Sequence, residues 1–220
     1  MKYYQELQEG LYDPNIFKAF FLAGGPGSGK SYVVRKTTGG VGLKIVNSDN
    51  AFEHLIKKAG LSLKMPPEEF KRKEKVRARA KKVVEKQHKN YVEGRLGLII
   101  DGTGREVNKI LAQKASLEEL GYDTHMIFVN TSLDVALKRN EERDRSLQSS
   151  FVIQSWKDVQ SNVGTYSQSF RRNFIVVDNN NNDDEVFNDV FKQVRSLLKI
   201  KVSNPRAKNW MAMELAKRKR

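Results

Sequence analysis

The 220-residue chain contains no cysteine, only three histidines and five prolines, and no apolar run that approaches the roughly 20 residues needed to cross a bilayer. Without cysteine there are no disulfides and no thiolate metal sites. Histidines as scattered as His54, His88 and His125 do not suggest a zinc cage either. The opening stretch "MKYYQELQEG" lacks the charged-then-apolar pattern of a secretory signal. Together these absences predict a soluble protein of the reducing cytoplasm with no membrane partner. At this length a single domain with a full core is expected.

Acidic residues are also few, 26 Asp and Glu against 40 Lys and Arg, for a net charge of +14. The excess is concentrated in two places. Between Lys71 and Asn90, "KRKEKVRARAKKVVEKQHKN" carries ten basic and two acidic residues, and between Lys201 and Arg220, "KVSNPRAKNWMAMELAKRKR" carries seven and one. These two stretches account for the whole surplus. Basic clusters of this kind attract polyanions by steering and by counterion release.

Apolar and helical patterns alternate along the chain. Strands are expected at 17–24, 42–49, 95–103, 124–130 and 173–179, and helices over 50–59, 67–91, 105–120, 132–143 and 186–199. "MPPEEF" supplies a proline start for the second of these helices, and Ser132 is the expected cap of the fourth. A polar, irregular segment is read from Asp144 to Arg172. Five apolar strands separated by helices predict an α/β fold with a parallel sheet covered on both faces. Residues 1–200 form the expected domain, with a lid at about 142–172, and 201–220 a basic tail.

After the first strand comes "GGPGSGKS", Gly24, Gly25, Pro26, Gly27, Ser28, Gly29, Lys30 and Ser31, followed by Tyr32 at the start of a helix. Gly24, Gly29, Lys30 and Ser31 satisfy G-x-x-x-x-G-K-[ST] in the strand-loop-helix setting that motif requires. The glycines let backbone N–H groups turn inward around phosphate oxygens, Lys30 reaches the terminal phosphates, and the Ser31 hydroxyl can ligate Mg²⁺. A glycine-rich helix cap would account for the turn, but it has no need of Lys-Ser.

The next strand ends carry carboxylates. "IVNSD" delivers Asp49, which can take the proton of an attacking hydroxyl, while Ser48 or Asp49 can equally cap the following helix. "LIIDGTGR" places Asp101 where a carboxylate binds Mg²⁺, with Thr103 and Arg105 beyond it as candidate acceptor contacts, although Asp-Gly and Thr-Gly are also ordinary strand-ending dipeptides. In "LKRNEERDRSL", Arg139 and Arg143 lie four apart on one helix face, followed by Arg145. They can neutralise a transferring phosphoryl group or pair with Glu141, Glu142 and Asp144.

"GGPGSGKS", "VNSD", "IIDGTGR", "RNEER" and "IVVDN", in this order over residues 17–180, resemble the small phosphate-loop kinases that include polynucleotide 5′-hydroxyl kinases and zeta-toxin kinases. The resemblance implies a P-loop NTPase fold with a five-stranded parallel sheet and a helical lid, ATP with Mg²⁺, and transfer of the γ-phosphate to a hydroxyl. It also implies Asp49 as base, with Lys30, Ser31, Asp101, Arg139 and Arg143 serving phosphates and metal. Both branches tend to carry an Arg about three residues beyond the base, where this chain has Phe52 and Glu53. "DGTGR" is closer to the zeta-toxin pattern, which implies a nucleotide-sugar acceptor.

The basic helix points the other way. Val76, Ala80, Val83, Val84 and Tyr91 form its expected buried stripe, leaving Lys71, Arg72, Lys75, Arg79, Lys82, Lys86 and Lys89 outward. A sugar-nucleotide kinase needs only a local pocket, whereas a nucleic-acid kinase gains from an extended basic surface. Arg72, Lys75, Arg79 and Lys82 are therefore candidate contacts to a nucleic acid, DNA or RNA, phosphorylated at a 5′-hydroxyl or a modified-base hydroxyl. A nucleic-acid-binding NTPase without a phosphoryl acceptor is the alternative of a different class. The tail is read as a frayed basic terminus, with Trp210 a possible base-stacking residue.

Overall fold

The computed structural model describes residues 10–62, 67–142, 147–181 and 183–218. Five strands, β1 (Lys18–Ala23), β2 (Lys44–Val46), β3 (Leu98–Asp101), β4 (Asp123–Asn130) and β5 (Phe174–Asp178), form one parallel sheet in the order β2-β3-β1-β4-β5. The α/β fold predicted by the alternating pattern is the one observed. β1 is buried at every position, as a central parallel strand covered on both faces must be.

Alternation along the strands divides the core into two layers. Phe20, Leu22, Ile99, Ile127, Val129, Ile175 and Val177 face α1 (Lys30–Thr38) and α8 (Asp184–Lys199), which contribute Val33, Val34, Phe187, Val190 and Val194. Ala19, Phe21, Ala23, Leu98, Ile100, Met126 and Phe128 face the other way, toward α4 (Val107–Glu119) and α7 (Val163–Phe170). A smaller cluster joins α2 (Ser48–Lys58) to α3 (Phe70–Glu93) through Phe52, Ile56, Leu61 and Ala80. α5 (Leu133–Glu141) follows β4 and is capped by Ser132, whose hydroxyl accepts from the Val135 N–H.

Several boundaries differ from the sequence expectation. β2 stops at Val46, so Asp49 lies in the first turn of α2 and not at a strand end. The cap of α2 is Asn47, whose side-chain oxygen accepts from the N–H groups of Asp49 and Asn50; neither Ser48 nor Asp49 holds that position. β3 is likewise shorter than 95–103. Val83 is 40% exposed and leaves the buried stripe of α3, while Lys73 is buried and pairs with Glu69 at 3.0 Å. The proline start of that helix lies partly outside the described residues, and Pro67 opens a single 3₁₀ turn before it.

The segment read as irregular is mostly helical. α6 (Ser149–Ser161) and α7 bury Val152, Val159, Tyr166 and Phe170, the last three within the main core cluster. The tail is not frayed over its described part. Pro205–Arg218 forms α9, which buries Ala207 and sets Trp210 edge-on to Phe17 at 5.5 Å, with the Arg95 guanidinium over its ring. Trp210 therefore packs on the domain and does not offer a free face to a base.

Candidate active site

The loop between β1 and α1 is held at the carboxyl end of the sheet, where doubly wound folds bind ligands. Gly27 and Gly29 have φ of 78° and 80°, a region that excludes most side chains. A Cβ at Gly27 would overlap the Ala136 carbonyl, and one at Gly29 the Asn179 amide. The loop is thus clamped between α5 and the chain after β5. Asn179 is fully buried and donates through Nδ2 to the Ser28 carbonyl at 2.7 Å. Arg139 donates through Nη1 to the Asn179 carbonyl at 2.6 Å and through Nη2 to that of Asn180 at 3.2 Å.

Lys30 bends over the loop, its Nζ donating to the Gly24 carbonyl and, at 3.4 Å, to that of Gly25. The hydroxyl of Ser28 is buried within the loop without a hydrogen-bond partner in the structure. The side chain of Ser31, in the first turn of α1, is exposed. These features fit a polyphosphate: inward-turning backbone, a primary amine and a hydroxyl at a helix N-terminus. Tyr32 contributes only its place in that turn, since its ring packs edge-on against Phe187 at 5.3 Å on the far side of α1.

Asp101 ends β3 beside this loop. Its carboxylate accepts from Asn47 Nδ2, so the residue that caps α2 also orients the candidate metal ligand. Burial raises the pKa of Asp101 above its ordinary value; the Lys30 ammonium and the Asn47 hydrogen bond oppose the shift, and the Asp49 carboxylate adds to it. Lys30, Asp101 and Asp49 therefore share one electrostatic neighbourhood, with Asp49 exposed at its edge. Among the described residues no cluster of three His, Asp or Glu could hold a metal alone. Mg²⁺ needs no such cage, because it is commonly held by one or two protein ligands together with substrate phosphates. Ser31 and Asp101 fit that requirement.

A cavity of about 170 Å³ opens beside Asp101 and Ser48, walled by Val84 of α3 and by Glu106, Lys109 and Gln113 of α4 and its cap. It is smaller than the roughly 300–1,000 Å³ of sites that enclose a whole drug-sized ligand, so it accommodates one hydroxyl-bearing group. A larger cavity of about 670 Å³ lies beside Thr124 and Phe170, at the amino end of the strands, where neither the phosphate loop nor the carboxylates reach. The chemistry points to the smaller one.

The loop after β3 is strapped down by α6 and α7. Tyr166 donates its hydroxyl to the Gly104 carbonyl at 2.9 Å, and Asn162 Nδ2 donates to the Gly104 and Arg105 carbonyls at 3.0 Å each. Arg105 does not face the cavity. Its guanidinium pairs with Asp158 at 2.8 Å and lies over the Phe151 ring. Thr103 is exposed at the mouth, where its hydroxyl accepts from the Arg105 N–H. α6 also lies beside the phosphate loop: a Cβ on Gly25 would come within 3.6 Å of the Trp156 Cα, and the Trp156 indole N–H donates to the Thr131 carbonyl. Arg143 and Arg145 lie outside the described residues.

Sequence reasoning missed Asn47 and Asn179 as anchors, although both lay within motifs it singled out, "VNSD" and "IVVDN". It also missed Glu106, Gln113, Asp158, Asn162 and Tyr166, for which no local pattern existed. Where the kinase resemblance implies an Arg near Phe52, Phe52 is instead buried between α2 and α3 with the Arg77 guanidinium 4.4 Å over its ring, and Arg77 does not line the cavity.

A family model described as an AAA domain matches residues 20–165. No curated protein matches the chain. Among solved structures, a candidate kinase from Chloroflexus aurantiacus superposes with a TM-score of 0.55 at 17% identity, over 84% of this chain and 97% of that one. A chain of the Pnkp1/Rnl/Hen1 RNA repair complex gives 0.51 at 20% identity, over 69% and 46% respectively. A gluconokinase from Sinorhizobium meliloti 1021 gives 0.51 at 14% identity, over 84% and 95%. At such identities the likeness is one of fold, that of P-loop kinase-like domains.

Proposed function

From the premise that the chain belongs to the AAA-domain family whose model matches residues 20–165, we propose that it is an ATP-dependent phosphotransferase acting on a hydroxyl. The observation that carries this reading is Asp101, which lines a walled cavity together with Ser48 and feels the charges of both Lys30 and Asp49. A plain NTPase has to position only water, whereas a cavity with its own walls suits a second substrate. Two of the structural neighbours bear the name kinase, which supports the same reading.

In the proposed reaction the acceptor oxygen forms a bond to the γ-phosphorus of ATP as the bond to the β–γ bridging oxygen breaks, and ADP leaves. The acceptor proton passes to the Asp49 carboxylate. Lys30 and the N-terminal amides of α1 neutralise charge on the phosphates, and Arg139, carried by the same loop clamp, adds a guanidinium at that edge. Arg143 is proposed for the same task. Bound Mg²⁺, held by Ser31 and Asp101, would supply Lewis-acid stabilisation of the phosphate oxygens. α6 excludes water from the loop.

The acceptor we infer is the uncharged 5′-hydroxyl end of a nucleic acid. Asp101 and Glu106 line the cavity, Lys109, the one cation among its described lining residues, is paired with Glu106 at 3.2 Å, and Arg105 is turned away. Such a lining favours a neutral group inside and leaves phosphates at the surface, where the cations are. The RNA repair neighbour supports this choice. Incubation with γ-labelled ATP and a panel of 5′-hydroxyl oligonucleotides, nucleosides and nucleotide sugars tests it. Label on the oligonucleotide terminus is expected. Label on a nucleotide sugar alone would transfer the assignment to the zeta-toxin type, and free phosphate without a labelled acceptor would overturn the kinase reading.

A further inference from the structure

Eight of the ten cations of α3 are sorted by face, and the other two, Arg72 and Lys81, are exposed on its flanks. On the packed side, Lys73 pairs with Glu69 and Arg77 lies over Phe52, so both are satisfied internally. On the outer side stand Lys71, Lys75, Arg79, Lys82, Lys86 and Lys89, all exposed. Their spacing follows the helical repeat, and at 3.6 residues per turn each lies within about 40° of the line diametrically opposite Val84. They form a straight row about 27 Å long, with one cation per turn. Among the described residues the carboxylate nearest the row in a salt bridge is Glu93, 3.9 Å from Lys89.

Val84, on the opposite face, is a wall of the acceptor cavity. The row and the cavity are therefore separated by the thickness of α3, about 10–12 Å with side chains. At the carboxyl end of the helix the second basic segment comes alongside: Arg95, two residues after α3, stacks on Trp210 of α9, which carries exposed Arg206, Lys208 and Lys217. α9 thus packs against the chain just beyond the carboxyl end of α3.

We propose that the outer face of α3 is a docking rail for the phosphodiester backbone of single-stranded nucleic acid, distinct from the transfer cavity. The strand specificity follows from the geometry and rests on the nucleic-acid reading above. A molecule that touches both the rail and the cavity must turn around one α-helix. Duplex DNA has a persistence length of about 50 nm and does not make that turn, whereas a single strand does. An anionic membrane is a poorer occupant, because a membrane-lying helix needs an apolar stripe toward the lipid, and the apolar stripe of α3 is packed against the body.

The test is fluorescence anisotropy without ATP, using a single strand of about 20 nucleotides, a blunt duplex of the same sequence, a dinucleotide, and phosphatidylserine vesicles. The triple variant Lys75→Glu, Lys82→Glu, Lys86→Glu is compared with the parent, and its thermal melt confirms folding. The parent should bind the single strand with affinity that falls as salt rises. The variant should lose about tenfold or more, and its log–log salt slope should flatten by about 0.7 for each contact removed. The ratio of single-strand to dinucleotide affinity should collapse in the variant. Unchanged single-strand affinity or salt slope in the folded variant, duplex bound as tightly as single strand, or vesicles preferred to both would overturn the proposal. Because no step uses ATP, a failed phosphotransfer assay leaves this result standing, and the reverse also holds.

Discussion

Arg105 donates through Nε and Nη2 to one oxygen of Asp158, at 3.1 and 2.8 Å, and so joins the loop after β3 to α6. A hydrogen bond from Gln154, followed by the Arg105 guanidinium, holds the Asp158 carboxyl below its ordinary pKa. Both partners are about one-third exposed, at 33% and 31%, so the pair matters for where Arg105 points more than for stability. Asp158→Asn should release Arg105 toward the acceptor mouth and lower the acceptor KM several-fold, with little change in melting temperature. Arg105→Ala breaks the same pair without offering a guanidinium to the acceptor and should not lower that KM. A steady-state comparison of the two variants separates release of the loop from a new Arg contact.

Asp49 is not the cap of α2, so its removal should leave the fold intact. Asp49→Asn is expected to lower kcat by about 10²–10⁴-fold, the range for loss of a general base, at unchanged ATP affinity. Asn47→Ala should behave differently, losing about 1 kcal/mol of stability with the cap and weakening Mg²⁺ dependence through Asp101. Kinetics and denaturant melts on both variants separate the roles.

Lys30→Ala should lower turnover by about 10²–10³-fold or more, as removal of a single charge-stabilising donor does elsewhere, and should weaken nucleotide binding measured by calorimetry. The core does not use this side chain.

Asn179 anchors the phosphate loop from the far end of the fold. Asn179→Ala would leave the Ser28 carbonyl without this donor, at a cost of about 1–3 kcal/mol, and should raise the ATP KM. Asn179→Ser, short of reach but polar, should not restore it.

His125 sets a pH dependence remote from the site. Burial, then the nearby Lys18 ammonium, lowers its pKa from 6.5 to about 4. The unfolded chain therefore takes up this proton first as pH falls. The stability His125 contributes is complete above about pH 6.5 and is lost as pH drops toward 4, by up to about 1.4 kcal/mol per unit. His125→Phe keeps a ring against Phe20, which His125 stacks on at 4.8 Å, and should flatten that slope in urea melts at stepped pH.

Strand and helix identity were legible wherever the pattern is local. The apolar blocks of β1, β3, β4 and β5 and the "GGPGSGKS" loop announce themselves within ten residues, because side-chain alternation and backbone chirality act over that range. α6 and α7 escaped notice because their buried positions, Val152, Ser155, Val159, Tyr166 and Phe170, are interleaved with Ser, Gln and Asn. Ser and Asn carry weak helical propensity and the polar interruptions hide the apolar period; α6 stands on its packing against α5 and α7, and α7 on β4 and α4.

The row of cations on α3 could be read from the sequence, since a 3.6-residue period is a property of the helix alone. Which way that row faces could not. Only the packing of Phe52 and Ile56 against Ala80, with Val84 turned to the cavity wall, puts the cations on the side of α3 away from the cavity. In the same way, Asn179 reaches Ser28 across 151 positions of chain. The order β2-β3-β1-β4-β5 brings these residues together, and strand order is set by the joint burial of both sheet faces, to which no short stretch of sequence has access.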